Sequence, residues 1–263
     1  LLRVMEIMFN QLLTEINDKK ALLDTKRPLS QDTLLRIKKI FDVDLTYNSN
    51  AIEGSTMTFN ETKIVLNEGI TIGGKKLHEH LEVINHKHAI DYIEELSHSK
   101  TITIQDIKNI HNLVLRGIDD NYAGRFRDKP VGVRQSDGGI YHFVDPLFIQ
   151  EKMEVFIDVV NADFQHPIFK AATAHFDFVT IHPFIDGNGR KARLLMNLIL
   201  LQNGFPPAII RIANRAQYLL ALEKAQLAGL VTELNRWPVL LLALKVENRE
   251  QETHCMQLGF QMF

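Results

Sequence analysis

Nine consecutive residues, His182-Pro183-Phe184-Ile185-Asp186-Gly187-Asn188-Gly189-Arg190, place a titratable base, a carboxylate, two glycines and a cation together. They lie between two apolar runs, Phe176 to Ile181 and Leu194 to Leu201, so the spacing predicts a tight loop feeding the start of a buried helix. Such a start offers backbone N–H groups without partners and the positive end of the helix dipole, a setting that suits phosphate. Gly187 and Gly189 allow a sharp turn and close approach to a ligand. His182 titrates near neutrality when unperturbed and can take a proton from a hydroxyl. Asp186 offers hard oxygen ligands of the kind Mg²⁺ takes alongside substrate phosphates. Asn188 can donate an amide N–H to a phosphate oxygen, and Arg190 and Arg193 can clamp further phosphates with forked hydrogen bonds. Base, metal ligand, anion cradle and cations are what phosphoryl transfer requires.

A histidine before proline, or a Gly-Asn-Gly turn, is ordinarily structural when it stands alone. All nine positions together resemble, without a mismatch, the Fic (Fido) family signature His-Pro-Phe-x-Asp/Glu-Gly-Asn-Gly-Arg, and Arg193 is similar to the second arginine that follows it. The resemblance implies a protein adenylyltransferase, which moves AMP from ATP onto a Ser, Thr or Tyr hydroxyl of a target protein. It implies His182 as the catalytic base, Asp186 as the Mg²⁺ ligand, and Asp186, Gly187, Asn188, Gly189, Arg190 and Arg193 as nucleotide-binding residues.

Upstream, Ser49, three further residues, Glu53 and Gly54 resemble the inhibitory element Ser/Thr-x-x-x-Glu-Gly/Asn of the same family. The resemblance implies that Glu53 pairs with Arg193 and displaces the γ-phosphate, with Ser49 as part of the same inhibitory element. Its place in the chain resembles the subclass with an N-terminal inhibitor. Ala123 to Arg127 and the segment after it resemble the Fic flap, which implies that Val133, Arg134 and Gln135 cover the nucleotide and that the flap edge docks the target. The resemblance also places Tyr218, Leu219 and Gln226 near the adenine. Gln226 stands where relatives often have asparagine, which leaves base preference open.

Across 263 residues, 45% are hydrophobic and 24% charged, as in a globular protein, and the formal net charge is −2. This balance exerts no general pull toward nucleic acid or an anionic membrane, and neither is expected as a partner. A single cysteine, Cys255, excludes an intramolecular disulfide framework and a Cys-rich metal site. No secretory leader is read at Leu1 to Leu13 and no apolar run has the length of a membrane span, so the expected location is cytoplasmic.

Helix and strand boundaries follow from periodicity and caps. Leu2, Met5, Phe9, Leu12 and Ile16 predict an amphipathic helix ending before Arg27-Pro28. Ser30 is an N-cap for a second helix with Leu34, Ile37, Ile40 and Phe41 as its buried stripe, stopping at Gly54. Thr58-x-x-Glu61 is a capping box for a helix through about Asn67, and Thr71 to Lys76 reads as a loop without Walker features. His78, His80, His86 and His88 lie on a long helix with Leu77, Leu81, Ile84 and Tyr92 and are read as solvated or core histidines. A helix from Ile104 to about Arg116 begins at Thr103, and Ser136-Asp137-Gly138-Gly139 between Val131 and Val144 predicts a β-hairpin. Asp145-Pro146 caps a helix to about Ala162, Pro167 opens the one ending at His182 with His175 in its core, Gly204 to Pro207 ends the signature helix, and Arg215 to Ala228 is helical. Val239 to Leu244 is read as buried helix.

The expected fold is all-α, a helical Fic core with one β-hairpin flap and N-terminal helices packed across the active site. Expected regions are 1–75, containing the inhibitory helix around 46–54, a catalytic core at 76–240, and a tail at 241–263. Three other activities stay open: a Fic enzyme that mainly removes AMP, one that uses another donor such as UTP or CDP-choline, and a non-catalytic nucleotide-sensing module that binds a partner. A homo-oligomer is also left open.

Overall fold

The computed structural model describes residues 2–163 and 166–227; the helix read at 239–244 and the tail at 241–263 lie outside the described residues. Helix α1 (Leu2–Thr25) stops before Arg27-Pro28, because proline lacks an N–H and restricts the residue before it. Helix α2 (Gln31–Ile52) starts where the Ser30 hydroxyl accepts from the Thr33 N–H at 3.2 Å, satisfying one donor of the first turn. It ends at Glu53, and Gly54 turns the chain away with φ 103°. Helices α3 (Phe59–Glu68) and α5 (Ile104–Leu115) both start with reciprocal capping boxes, at Thr58 and Thr103. Between them lies α4 (Leu77–Leu96), and α6 (Ile149–Asn161) follows a short 3₁₀ turn capped by Asp145, whose carboxylate accepts from Leu147 N–H at 2.9 Å.

At the centre, α7 (Pro167–Ile181) and α8 (Asn188–Gln202) form a helical hairpin buried on nearly every face. Phe178 from α7 and Leu195 and Leu198 from α8 are almost wholly excluded from water. Each such side chain contributes roughly 1.5–3 kcal/mol, which makes this pair a rigid base for the loop joining them. α4, α5, α6 and the second half of α2 pack around it. Helix α9 (Arg215–Leu227) closes one side. The single sheet among the described residues is a hairpin of β1 (Gly132–Arg134) and β2 (Ile140–His142), antiparallel with Val133 opposite Tyr141.

The fold is therefore all-α with one hairpin. Among the described residues, no helix is long and apolar enough to cross a membrane. Three apolar positions differ from the periodicity reading: Leu34 (51%), Leu77 (73%) and Ile84 (38%) are exposed. Leu34 and Leu77 sit in first turns, Leu34 facing an open cavity shared with Leu23, Phe59 and Leu201, and α4 buries instead a face containing His80, Val83, His86 and Ile90. His80 accepts from the Ile72 N–H at 2.8 Å and His86 Nδ1 meets the Thr46 hydroxyl at 3.1 Å, so these are core histidines with partners.

Candidate active site

Helix α7 ends by placing His182 in the left-handed region at φ 52°, ψ 57°, the one non-glycine residue with positive φ among those described. That conformation costs about 1–2 kcal/mol for an L side chain and marks a place where the surroundings overdetermine the backbone. The restraints are visible. Arg127 Nε donates to the His182 carbonyl at 2.8 Å, and the imidazole stacks on Phe143 with centroids 3.9 Å apart. His182 Nδ1 lies 3.2 Å from the Val179 carbonyl; a carbonyl only accepts, so Nδ1 carries the proton and Nε2 keeps its lone pair. Burial lowers the His182 pKa to about 4, against the opposing pull of the Val179 carbonyl. The ring is neutral at neutral pH.

The loop after His182 is closed from inside. Asn188 accepts from the Phe184 N–H at 3.0 Å and donates to the Phe184 carbonyl at 2.8 Å. Its side chain is buried and both of its amide groups bond to Phe184, so this asparagine shapes the loop. Phe184 is buried and stacked on His111 at 3.7 Å. His111 takes the Gly124 N–H on Nδ1 at 2.7 Å, and its Nε2 faces the Asp186 carbonyl at 3.3 Å. The fully buried Lys191 amine donates to the same carbonyl at 2.9 Å. With its backbone fixed on both sides, Asp186 turns its carboxylate outward, 67% exposed, with Arg190 Nη2 3.5 Å away.

Among the described residues no set of three or more His, Cys, Asp or Glu side chains gathers around one point. One outward carboxylate beside a helix N-terminus fits Mg²⁺, which takes one or two carboxylates and completes its shell with phosphate and water. It does not fit a metal needing a protein cage.

Helix α8 starts at Gly187 without a side-chain cap, leaving its first-turn N–H groups open. The Glu53 carboxylate stands at that turn: a Cβ on Gly189 would lie 2.3 Å from Glu53 Oε1, so any larger residue there would have to push the carboxylate aside. Arg193 holds Glu53 Oε1 at 2.7 Å through Nη2, and grips Ser49 twice, the hydroxyl at 3.0 Å through Nε and the carbonyl at 2.9 Å through Nη2. Burial is the largest single influence and would raise the Glu53 pKa, but the Arg193 charge, the Arg193 hydrogen bond and the Arg190 charge together outweigh it and the net shift is downward, so the carboxylate is ionised. Arg190 pairs with Glu82 on α4 at 3.0 Å, a partner that no local motif signals.

The hairpin stands beside this centre. Val133 and Arg134 are exposed, and Gln135 is half-buried. The Ser136 N–H and hydroxyl both donate to Glu223 on α9, at 3.0 and 2.5 Å, so the hairpin tip is fastened to the helix assigned to the base. On that helix Leu219 is exposed and Gln226 half-buried. Tyr218 is buried, with its hydroxyl 2.9 Å from His175 Nε2 and hydrogen-bonded to Arg193. Sequence reasoning gave no role to Glu82, His111, Arg127 or Lys191, although Arg127 stood in the flap-like segment and Lys191 directly after the nine-residue loop.

His86 and His175 are buried and their pKa values are lowered to about 3, chiefly by desolvation. Unfolded, both take up protons near pH 6.5; folded, they stay neutral well below that. As pH falls from about 6.5 toward 3 the unfolded chain therefore binds more protons, and stability is lost. Urea unfolding should give a lower midpoint at pH 5 than at pH 7.5, with at most about 2 kcal/mol from each histidine. An unchanged midpoint would contradict the burial of these rings.

A buried helical hairpin, a neutral base at its corner and an anion-ready helix start define a Fic fold, and the chain belongs to the Fic/DOC family, whose match covers residues 101–200. It is similar to the protein adenylyltransferase fic-1 of Caenorhabditis elegans, 39% identical over 190 residues, which cover 70% of this chain and 36% of that protein. The chain spans less than half the length of the curated relatives it matches. Among solved structures, a Fic domain containing signaling protein from Bacteroides thetaiotaomicron superposes with a TM-score of 0.86 at 26% identity, covering 96% of this chain and 98% of that one. Fic-1 residues 134–508 from C. elegans superpose with a TM-score of 0.81 at 30% identity, covering 97% and 75%.

Proposed function

We propose that the chain is a protein adenylyltransferase whose resting state is inhibited by Glu53. The observation that carries this reading is the juxtaposition of a neutral His182, with its Nε2 lone pair available, and an open α8 N-terminus against which a carboxylate already lies. The names of the relatives support the reaction class.

In this reaction the α8 first-turn N–H groups hold the ATP α-phosphate, and Arg190 and Arg193 attract the outer phosphates. Mg²⁺, held by Asp186 and the nucleotide, would neutralise phosphate charge. His182 Nε2 removes the proton from a Ser, Thr or Tyr hydroxyl presented along the hairpin. The oxygen forms a bond to the α-phosphorus, the bond to the β-phosphate oxygen breaks, and pyrophosphate leaves. Fixed geometry and preorganised charge supply most of the acceleration.

A second reading, removal of AMP from a modified target, is favoured by one feature: the Glu53 side chain keeps 36% of its surface exposed at the head of α8, where it can orient a water.

The test uses ATP labelled at the α- or the γ-phosphate, with a cell lysate as target source and the Glu53→Gly variant as enzyme. Label should enter protein from the α position alone. Asp186→Ala should lower incorporation by on the order of tenfold or more, with excess Mg²⁺ restoring only part of it. Transfer of the γ label would make the enzyme a kinase and overturn the reading.

A further inference from the structure

Arg127 lies outside the signature loop, on the segment between α5 and β1, and only 3% of it is exposed. Its hydrogen-bond partners are all main-chain carbonyls. Nε donates to His182 at 2.8 Å, Nη1 to Lys129 at 2.8 Å, and Nη2 to Val144, while its own N–H donates to Pro183 at 2.9 Å. A guanidinium is a rigid planar fork, so reaching three carbonyls on three segments fixes those segments relative to one another.

The three segments are telling. Lys129 stands just before β1 and Val144 just after β2, so two arms of the fork hold the two legs of the hairpin at its base. The third arm and the backbone N–H hold the corner where His182 sits in its left-handed conformation. Phe143, next to Val144, donates its N–H to Val131 at 3.2 Å, extending the hairpin pairing, and its ring packs on the His182 imidazole. Hairpin and base are thus joined twice, through the ring stack and through one side chain beneath it.

We propose that Arg127 is a positioning residue for the transfer step, locking the His182 backbone and the hairpin into one unit so that a hydroxyl docked on the hairpin arrives in register with Nε2. This rests on the reading of His182 as base and of the hairpin as target dock. Arg127 is buried with only main-chain partners, so it would act through His182 and the hairpin rather than on nucleotide or target. Removing the fork should leave the phosphate cradle intact, because none of the cradle residues bonds to it. It should instead let the base drift from the docked hydroxyl, and a displacement of about 1 Å can cost about 100-fold in rate.

The test compares Arg127→Lys, which keeps the charge and loses the fork, with Arg127 intact, both in the Glu53→Gly background. The expected result is a 10- to 100-fold lower turnover of AMP transfer, ATP affinity within about twofold, and long-range ¹H–¹⁵N spectra in which the His182 ring no longer holds a fixed Nδ1–H tautomer. An equal loss of ATP affinity and turnover would make Arg127 a general support of the loop and overturn the proposal. So would unchanged turnover, or an unchanged His182 tautomer. If Arg127→Lys fails to fold, Phe143→Leu weakens the same coupling from the hairpin side, and turnover there should fall roughly three- to tenfold at constant ATP affinity; unchanged turnover overturns the coupling. Failure of the underlying reading is seen separately, as near-normal transfer by a His182 variant with Arg127 in place.

Discussion

Replacing His182 by alanine should lower AMP transfer by about 10²- to 10⁴-fold, the usual contribution of a positioned general base, while ATP affinity changes little. The reasoning starts from the tautomer. The Val179 carbonyl fixes the proton on Nδ1, and burial keeps the ring neutral, so Nε2 is the one basic atom poised at this corner of α7. Phosphates bound at the α8 start would raise its basicity by stabilising the imidazolium as it forms. Alanine at a left-handed position adds backbone strain, which could lower activity for an unrelated reason. Asparagine tolerates that conformation, so His182→Asn separates the two effects: it should keep fold and ATP binding and still lose transfer. A labelled-ATP gel assay beside a nucleotide-binding titration reads both quantities. Near wild-type transfer by His182→Asn would remove His182 from the mechanism.

What could be read from sequence is what the chain keeps local. The proposed base, the proposed metal ligand, the glycines and both arginines fall within 12 residues, and the Ser30, Thr58 and Thr103 caps each act within three residues of themselves. The hairpin announced itself through Ser136 to Gly139. The supporting shell was hidden because its partners are distant: Arg127 reaches 55 residues to His182, and Arg190 reaches 108 to Glu82. Nothing in the residue types near Glu82 or His111 signals those contacts. Asn188 shows the opposite limit. Its type suited a ligand, yet the tightness of the loop required both amide groups for Phe184. Periodicity failed at Leu34 and Leu77, both in a first turn, because an apolar residue there is buried only where a neighbour packs on it, and Leu34 faces an open cavity instead.

Glu53→Gly should raise AMP transfer by roughly 5- to 150-fold, the span of a coupling energy of about 1–3 kcal/mol. The argument is competition for one cation and one helix end. Arg193 spends Nη2 on Glu53 and on the Ser49 carbonyl and Nε on the Ser49 hydroxyl, so two of its three nitrogens are held by α2. Glu53 Oε1 also lies against Gly189, in the first turn of α8. A γ-phosphate seeking Arg193 must displace a carboxylate tethered in the same chain, whose effective concentration is high whatever the ATP level. The tether is stiff: Asn48 accepts from the Ile212 N–H at 2.9 Å, and Arg215 donates to the Ile52 carbonyl at 2.8 Å, one residue before Glu53. Removing the carboxylate leaves those anchors and the Ser49 contacts in place, so the helix stays docked while Arg193 loses the one negative charge that competes with phosphate. Glycine at the C-terminal end of a helix is tolerated, which keeps the change from acting through stability. Arg193→Ala breaks the same pair and should give no comparable gain, because it also loses the phosphate contact. Any AMP-removing activity that uses the carboxylate to orient water should vanish in Glu53→Gly. If Glu53→Gly is no more active than wild type across a range of ATP and Mg²⁺ concentrations, the contact between Glu53 and Arg193 is structural and α2 does not inhibit.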